Sequence, residues 1–325
     1  MRPAARPPGC TAWRVVRGNG STGAVTGCHD RTVITDVDAA TRSLHGTALG
    51  DAFGETWFFR PADQMRWQIE ERLVPQGTWP WTDDTAMAVS LYRTLREHGR
   101  VEQDELAGRF AGAYAADPYR NYGPSMHGVL QAIGDGEAWR SVTAAQFDGQ
   151  GSWGNGAAMR VAPLGAWFAD DLDLVVEQAT LSAAVTHAHP EAAAGAVAVA
   201  VAAALAARRV PAGELLPRVA DRTPDSEVAA RLRLLYRRPF DRDPRWIAGE
   251  VGCGTLISAP DTVPYAIWCA ARHLDDLAEA LWATVSAGGD MDTTCAIVGG
   301  IVAARTGLDG VPAEWVDACE PLPTW

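Results

Sequence analysis

The chain has 325 residues, 47% hydrophobic and 21% charged, a composition that supports a large folded core without disulfides or structural metals and excludes disorder or coiled coil as the main plan. Forty acidic against 28 basic side chains leave a net charge of −12, which opposes broad nucleic-acid binding but leaves a small anion in a local pocket open. Six cysteines, at positions 10, 28, 253, 269, 295 and 319, form no CxxC pair; they read as free thiols of a reducing compartment, and the cytoplasm is the expected location.

Residues 1–35 are rich in Pro, Arg and Gly, lack the apolar stretch of a signal peptide, and read as a disordered leader. From Asp38 a helical period begins: Leu44, Thr47, Ala48 and Asp51–Ala52 recur at three-to-four spacing, with small residues that permit close helix packing. The one alternating, strand-like stretch, Met65–Val74, is short. Further helices are expected at about 83–98, 102–115, 156–169, 173–187 and 190–208, and then at about 211–220, 225–236, 261–271, 274–286 and 291–306. Within them, the Ala/Val run Ala192–Ala207 has sixteen residues. That falls short of the roughly 20 needed to cross a bilayer and reads as a buried central helix, so no membrane association is expected. A single compact all-α domain over residues 36–325 follows.

Four segments carry more polar chemistry than a helical core requires. Trp81-Thr82-Asp83-Asp84-Thr85 and Gly288-Gly289-Asp290-Met291-Asp292-Thr293 each place two carboxylates and a hydroxyl at a helix start. Each alone reads equally as capping. If the fold brings them together, four carboxylates share one small volume and call for counter-cations. Hard oxygen donors with no Cys and few His suit Mg²⁺ or Mn²⁺, and two ions match that much charge. The loop Gly151-Ser152-Trp153-Gly154-Asn155-Gly156 runs into a helix and offers backbone N–H groups to a pyrophosphate, although it is neither a dinucleotide fingerprint nor a P-loop. Thr186-His187-Ala188-His189 precedes a Pro and reads as a helix junction or as a ligand contact.

Taken in order, Gly50-Asp51-Ala52-Phe53-Gly54, Thr82–Thr85, Ser152–Arg160, Thr186-His187 and Gly288–Thr293 resemble the ADP-ribosylglycohydrolase family over about residues 40–308. The resemblance implies a compact orthogonal multi-helix fold with a binuclear site for two Mg²⁺ or Mn²⁺. It implies Thr82, Asp83, Asp84, Asp290, Asp292 and Thr293 as metal ligands, and Gly151, Ser152, Trp153, Gly154, Asn155, Gly156 and His187 as residues that hold ADP-ribose. Asn121-Tyr122-Gly123-Pro124 resembles, more loosely, a second cleft loop. Many members carry a glutamate seven residues after the aspartate of the first motif; that place is Phe58 here, and Glu55, one helical turn earlier, is the expected replacement. The implied reaction is hydrolysis of the glycosidic bond between ADP-ribose and a modified side chain, with Asp84, Asp292 and Glu55 as candidate catalytic groups. Arginine is the first-choice leaving group and serine-linked or small-molecule conjugates the alternative. A cognate ADP-ribosyltransferase is a further expected partner, since some relatives neutralise such toxins.

Overall fold

Two central helices in direct backbone contact organise the molecule. The structure, a computed structural model, describes residues 13–17, 22–24, 31–58 and 60–324. Helix α1, Val37–Glu55, carries Gly46, Gly50 and Gly54 at four-residue spacing and runs antiparallel to a later helix, Met291–Thr306. A methyl group on Gly50 would lie 2.0 Å from the Cys295 carbonyl oxygen, and one on Gly54 would lie 2.2 Å from that of Met291. Only glycine permits this approach. The consequence reaches the chemistry: the C-terminal end of α1, with Asp51 and Glu55, lies against the N-terminal end of its partner, with Asp290 and Asp292.

The remaining elements wrap this pair. Strands β1 (Trp13–Arg17), β2 (Thr22–Ala24) and β3 (Arg31–Thr35) form a small sheet in which β1 pairs antiparallel with β2 and parallel with β3. Helices α2 (Ala62–Glu70), α3 (Asp83–His98), α4 (Gln103–Ala116), α5 (Pro124–Gly134) and α6 (Trp139–Gly149) follow α1. Next come α7 (Gly156–Met159), α8 (Ala162–Trp167), α9 (Leu172–Ala184), α10 (Pro190–Ala207), α11 (Ala212–Arg222) and α12 (Glu227–Leu235). The chain ends with α13 (Pro244–Val251), α14 (Ala259–Arg272), α15 (Leu277–Val285), α16 (Met291–Thr306) and α17 (Ala313–Ala318).

The Ala/Val run is the buried central helix the composition implied: α10 hides every side chain from Ala194 to Ala206, packing on α7, α8, α9, α14 and α16. Three expectations need correction. The segment read as an unstructured leader contains β1, β2 and β3; Val15–Val16 and Thr32-Val33-Ile34-Thr35 are β-branched runs that favour extended backbone. Met65–Val74 is not a strand: α2 covers most of it, and only Ile69 of that helix is buried. The single helix expected over 156–169 is two, α7 and α8, separated at Arg160–Val161, with Pro163 starting the second.

Candidate metal centre and ligand cleft

Asp51 is the hub of the site. It is fully buried on α1 and accepts four hydrogen bonds from the start of α3: the Thr82 N–H at 2.9 Å, the Thr82 hydroxyl at 2.9 Å, the Thr85 N–H at 3.0 Å and the Thr85 hydroxyl at 2.6 Å. A carboxylate borrowed from another helix thus caps α3. Burial still outweighs these four bonds and raises the carboxyl to about 6. The motif containing Asp51 stood out in the sequence; its role as a cross-helix cap did not.

Thr82 is the N-cap of α3, accepting a hydrogen bond from the Asp84 N–H. Asp83 and Asp84 follow in the first turn, both buried. Their carboxyls are pushed well above the ordinary range, first by burial and then by the charges of Asp51 and Asp290. On α16, Asp292 is buried and raised for the same reasons, with Asp290 and Asp84 the next contributors. The structure places the carboxylates of the two expected halves, Asp83 and Asp84 with Asp290 and Asp292, within electrostatic reach of one another, with Thr82 and Thr293 next to them in the chain and buried. One oxygen of Asp84 and one of Asp292, Oδ1 in each, are buried without a hydrogen-bond partner. Buried carboxylate oxygens without a partner are costlier than an unpaired hydroxyl or ring N–H, because they carry charge. A hard divalent cation is the chemistry that satisfies them, so the donor set fits Mg²⁺ or Mn²⁺.

The Gly-rich loop sits on the same cleft. Asn155 joins the two parts: its Nδ2 donates to Asp290 Oδ2 at 2.6 Å and to the Thr262 hydroxyl at 3.0 Å. Gly151 adopts φ +77°, Ser152 accepts from the Gly154 N–H through its hydroxyl at 3.2 Å, and the Trp153 carbonyl accepts from Ala259 at 3.0 Å. Trp153 is exposed. His187 lies beneath the loop, its Nδ1 2.7 Å from the Thr186 hydroxyl, and a Cβ on Gly156 would lie 2.9 Å from its ring. Burial holds this imidazole neutral, with its pKa lowered to about 3. It supports the loop from below and does not join the carboxylates.

Glu55, at the C-terminal end of α1, is half-buried and accepts a hydrogen bond from Asn121 Nδ2 at 2.8 Å. Burial raises its carboxyl, and the Asp51 and Asp290 charges raise it further, which places it beside the acidic centre. Phe58 instead packs against the core. Two arginines have no role assigned from the sequence, although Arg160 closes the Ser152–Arg160 motif. Arg160, fully buried, donates to the carbonyls of Gly156 at 3.1 Å and Ser182 at 2.9 Å and lies over the Phe110 ring. Burial lowers it to about 9, against the pull of Asp83. Arg120 braces the chain before Thr82 from outside. Each also has a local partner, but the contacts that define its place lie far away in the chain, Ser182 and Phe110 for Arg160 and Trp81 and Glu320 for Arg120.

A second acidic group, Glu97, His98 and Glu105, holds ligand atoms within 4.8 Å of one another, but all three residues are exposed. Arg109 pairs with both of its glutamates.

A family model described as ADP-ribosylglycohydrolase matches residues 32–325. The human protein named ADP-ribosylhydrolase ARH3 is 33% identical, the alignment covering 74% of this chain and 74% of that protein. The Rhodospirillum rubrum protein named ADP-ribosyl-[dinitrogen reductase] glycohydrolase is 28% identical, over 86% of this chain and 89% of its own. A solved structure titled ADP-ribosylglycohydrolase-related protein complex superposes with a TM-score of 0.64 at 24% identity, covering 87% of this chain and 92% of that one. The fold is shared with that structure, and the match over nearly the whole length settles the larger assignment: this chain belongs to the ADP-ribosylglycohydrolase family.

Proposed function

We propose that the protein hydrolyses the glycosidic bond at C1 of ADP-ribose in a conjugate with a protein side chain, releasing free ADP-ribose. The observation that carries this reading is the buried cluster of Asp83, Asp84, Asp290 and Asp292, with two unpartnered carboxylate oxygens, joined through Asn155 to a Gly-rich loop. A bound pair of Mg²⁺ or Mn²⁺ ions at these oxygens supplies charge compensation, a grip on the ribose hydroxyls and a water of lowered pKa.

The chain's own groups divide the remaining work. The Gly151 and Gly154 N–H groups are bonded to Gln146 and Ser152, and other backbone N–H groups of the loop are assigned to the pyrophosphate, whose binding energy holds C1 in place. The exposed Trp153 offers an aromatic face to the base. Water adds to C1 as the bond to the leaving group breaks, through a centre with oxocarbenium character. Of the three candidate catalytic carboxylates, Asp84 and Asp292 are deeply buried and suited to ligation. Glu55 is half-buried and oriented by Asn121, and we assign it the water's proton. The proton returns on the leaving atom.

Arginine is the first-choice leaving group from the resemblance and serine-linked or small-molecule conjugates the alternative; the family assignment reaches the linkage to ADP-ribose, and the proposal is made for that bond. Cys253, Cys269, Cys295 and Cys319 are unpaired, which supports work in a reducing cytoplasm. The test is incubation of the protein and Mn²⁺ with arginine-linked and serine-linked ADP-ribosyl peptides, with and without EDTA. Free ADP-ribose, lost with EDTA, is expected from at least one peptide, and the faster of the two names the leaving group. AMP as product would mean attack on the pyrophosphate and would overturn the reading.

A further inference from the structure

The dipeptide Arg120–Asn121 touches both parts of the acidic centre. The Arg120 carbonyl accepts the Asp83 N–H at 2.7 Å, and Asn121 Nδ2 donates to Glu55 Oε1 at 2.8 Å. Asn121 sits at φ +59°, in the left-handed region that asparagine enters more readily than most residues. The Arg120 side chain, in turn, is held from several directions. Its Nη1 donates to the Trp81 carbonyl at 2.9 Å, immediately before Thr82, and its guanidinium lies 3.7 Å from the centroid of the Trp81 ring. Its Nε donates to Asp117 at 2.8 Å, and its two terminal nitrogens make a bidentate pair with Glu320 at 2.6 and 2.7 Å. Arg120 is only 19% exposed in this fork.

Glu320 is itself fixed by backbone. Its N–H donates to the Trp79 carbonyl at 2.9 Å, and the Trp79 N–H donates to the Ala318 carbonyl at 2.7 Å, a parallel bridge between Trp79 and Cys319. The last turns of the chain therefore lie alongside the strand-like entry to α3 and grip, through one guanidinium, the segment that presents Asp83. We propose that Arg120 is a positioning residue for the acidic centre, locked by Glu320 from a C-terminal strap, and that this lock sets the spacing of Asp83 and Glu55. A planar, five-donor guanidinium suits a joint of this kind, in which ring, carbonyl and two carboxylates are all satisfied at once; an ammonium does not.

The inference rests on the metal-dependent reading above, so the experiment reads metal binding apart from turnover. Full-length wild type, Glu320→Gln and Arg120→Lys are titrated with Mn²⁺ by calorimetry, and ADP-ribose release is measured against Mn²⁺ concentration. Residues that orient metal ligands typically change affinity by about 10-fold or more. Both variants are expected to weaken the Mn²⁺ Kd by at least that factor and to recover turnover as Mn²⁺ is raised. Glu279→Gln serves as the control: it breaks a bidentate pair of similar geometry with Arg72, at 2.6 and 2.8 Å, on the exposed first turn of α15, and should leave the Kd unchanged. An unchanged Kd in a folded Glu320→Gln protein overturns the inference, as does an equal loss in Glu279→Gln. A wild type that binds no Mn²⁺ removes the metal-dependent reading and the inference with it.

Discussion

The two ends of α3 each gather acidic side chains, and they are opposites. At the N-terminal end Asp83 and Asp84 are buried beside Asp51, Asp290 and Asp292. The facing cation, Arg160, is spent on the carbonyls of Gly156 and Ser182. At the C-terminal end Glu97 and His98 meet Glu105 of α4 in solvent, with Arg109 pairing both glutamates. By distance alone the second group satisfies a metal-site criterion. What separates them is compensation. Exposed acids next to an arginine are already neutralised and hydrated, whereas buried acids with unpartnered oxygens carry an unfavourable free energy that a cation removes.

The sharpest way to break this comparison is to neutralise one buried acid. Asp292→Asn and Asp84→Asn are each expected to lower kcat/KM by on the order of 10³-fold, about 4 kcal/mol of transition-state stabilisation. In the metal-free state the same variants should melt higher than wild type, because a repelled buried charge is gone. Opposite signs in steady-state kinetics and in melting under EDTA would identify a functional cluster; a loss in both would mark these residues as structural. Glu55→Gln should reduce turnover less, by about 10²-fold, the usual scale for a positioned general base, with Mn²⁺ affinity largely retained.

A smaller effect concerns pH. Asp51 is raised to about 6 from 3.8, and Asp83, Asp84 and Asp292 are raised as well. A carboxyl whose pKa is higher folded than unfolded contributes stability that is fully present below its unfolded value. That stability is lost as pH rises through the folded value. The metal-free protein is therefore expected to be more stable near pH 4 than near pH 7, with the Asp51 part of the decline running from 3.8 to about 6. Saturating Mn²⁺ should abolish the decline, since 100-fold excess over Kd adds about 2.7 kcal/mol where the carboxylates are ionised. Thermal melts across that pH range, with and without Mn²⁺, check both arms.

Much of this was legible in the sequence where the physics is local. The expected 83–98, 190–208 and 291–306 match α3, α10 and α16 almost residue for residue, because Thr82, Pro190 and Asp290 mark helix starts and the following apolar runs carry the period. The two acidic motifs were legible for the same reason. What was not legible depends on partners far away in sequence. The strand-like look of Met65, Trp67 and Ile69 reflects apolar alternation, but the segment lies on the surface of a helical body, buries only Ile69 and folds as α2. Nothing near Asp51 says that it caps α3, since its four donors lie more than 30 residues on. Arg120 meets Glu320 across 200 residues, and Arg160 meets its role only once the loop and α9 are placed. Spacing shows which side chains can act together on one helix, and only topology shows which helices meet.

The last prediction tests the solvent-facing end of the comparison. Glu97→Gln removes one of the two carboxylates that pair with Arg109 and leaves Glu105 in place at 2.8 Å. Exposed ion pairs contribute about 0 to 1 kcal/mol, and Glu97, at the C-terminal end of α3, faces the negative end of the helix dipole, which offsets part of that small gain. Stability should therefore change by no more than about 0.5 kcal/mol, the usual range for a surface substitution. Mn²⁺ stoichiometry, Mn²⁺ affinity and ADP-ribose release should all match wild type. If calorimetry instead shows a lost Mn²⁺ equivalent in Glu97→Gln, compensation by Arg109 does not neutralise this group, and proximity of ligand atoms would have been the better guide to where the chain takes its metal.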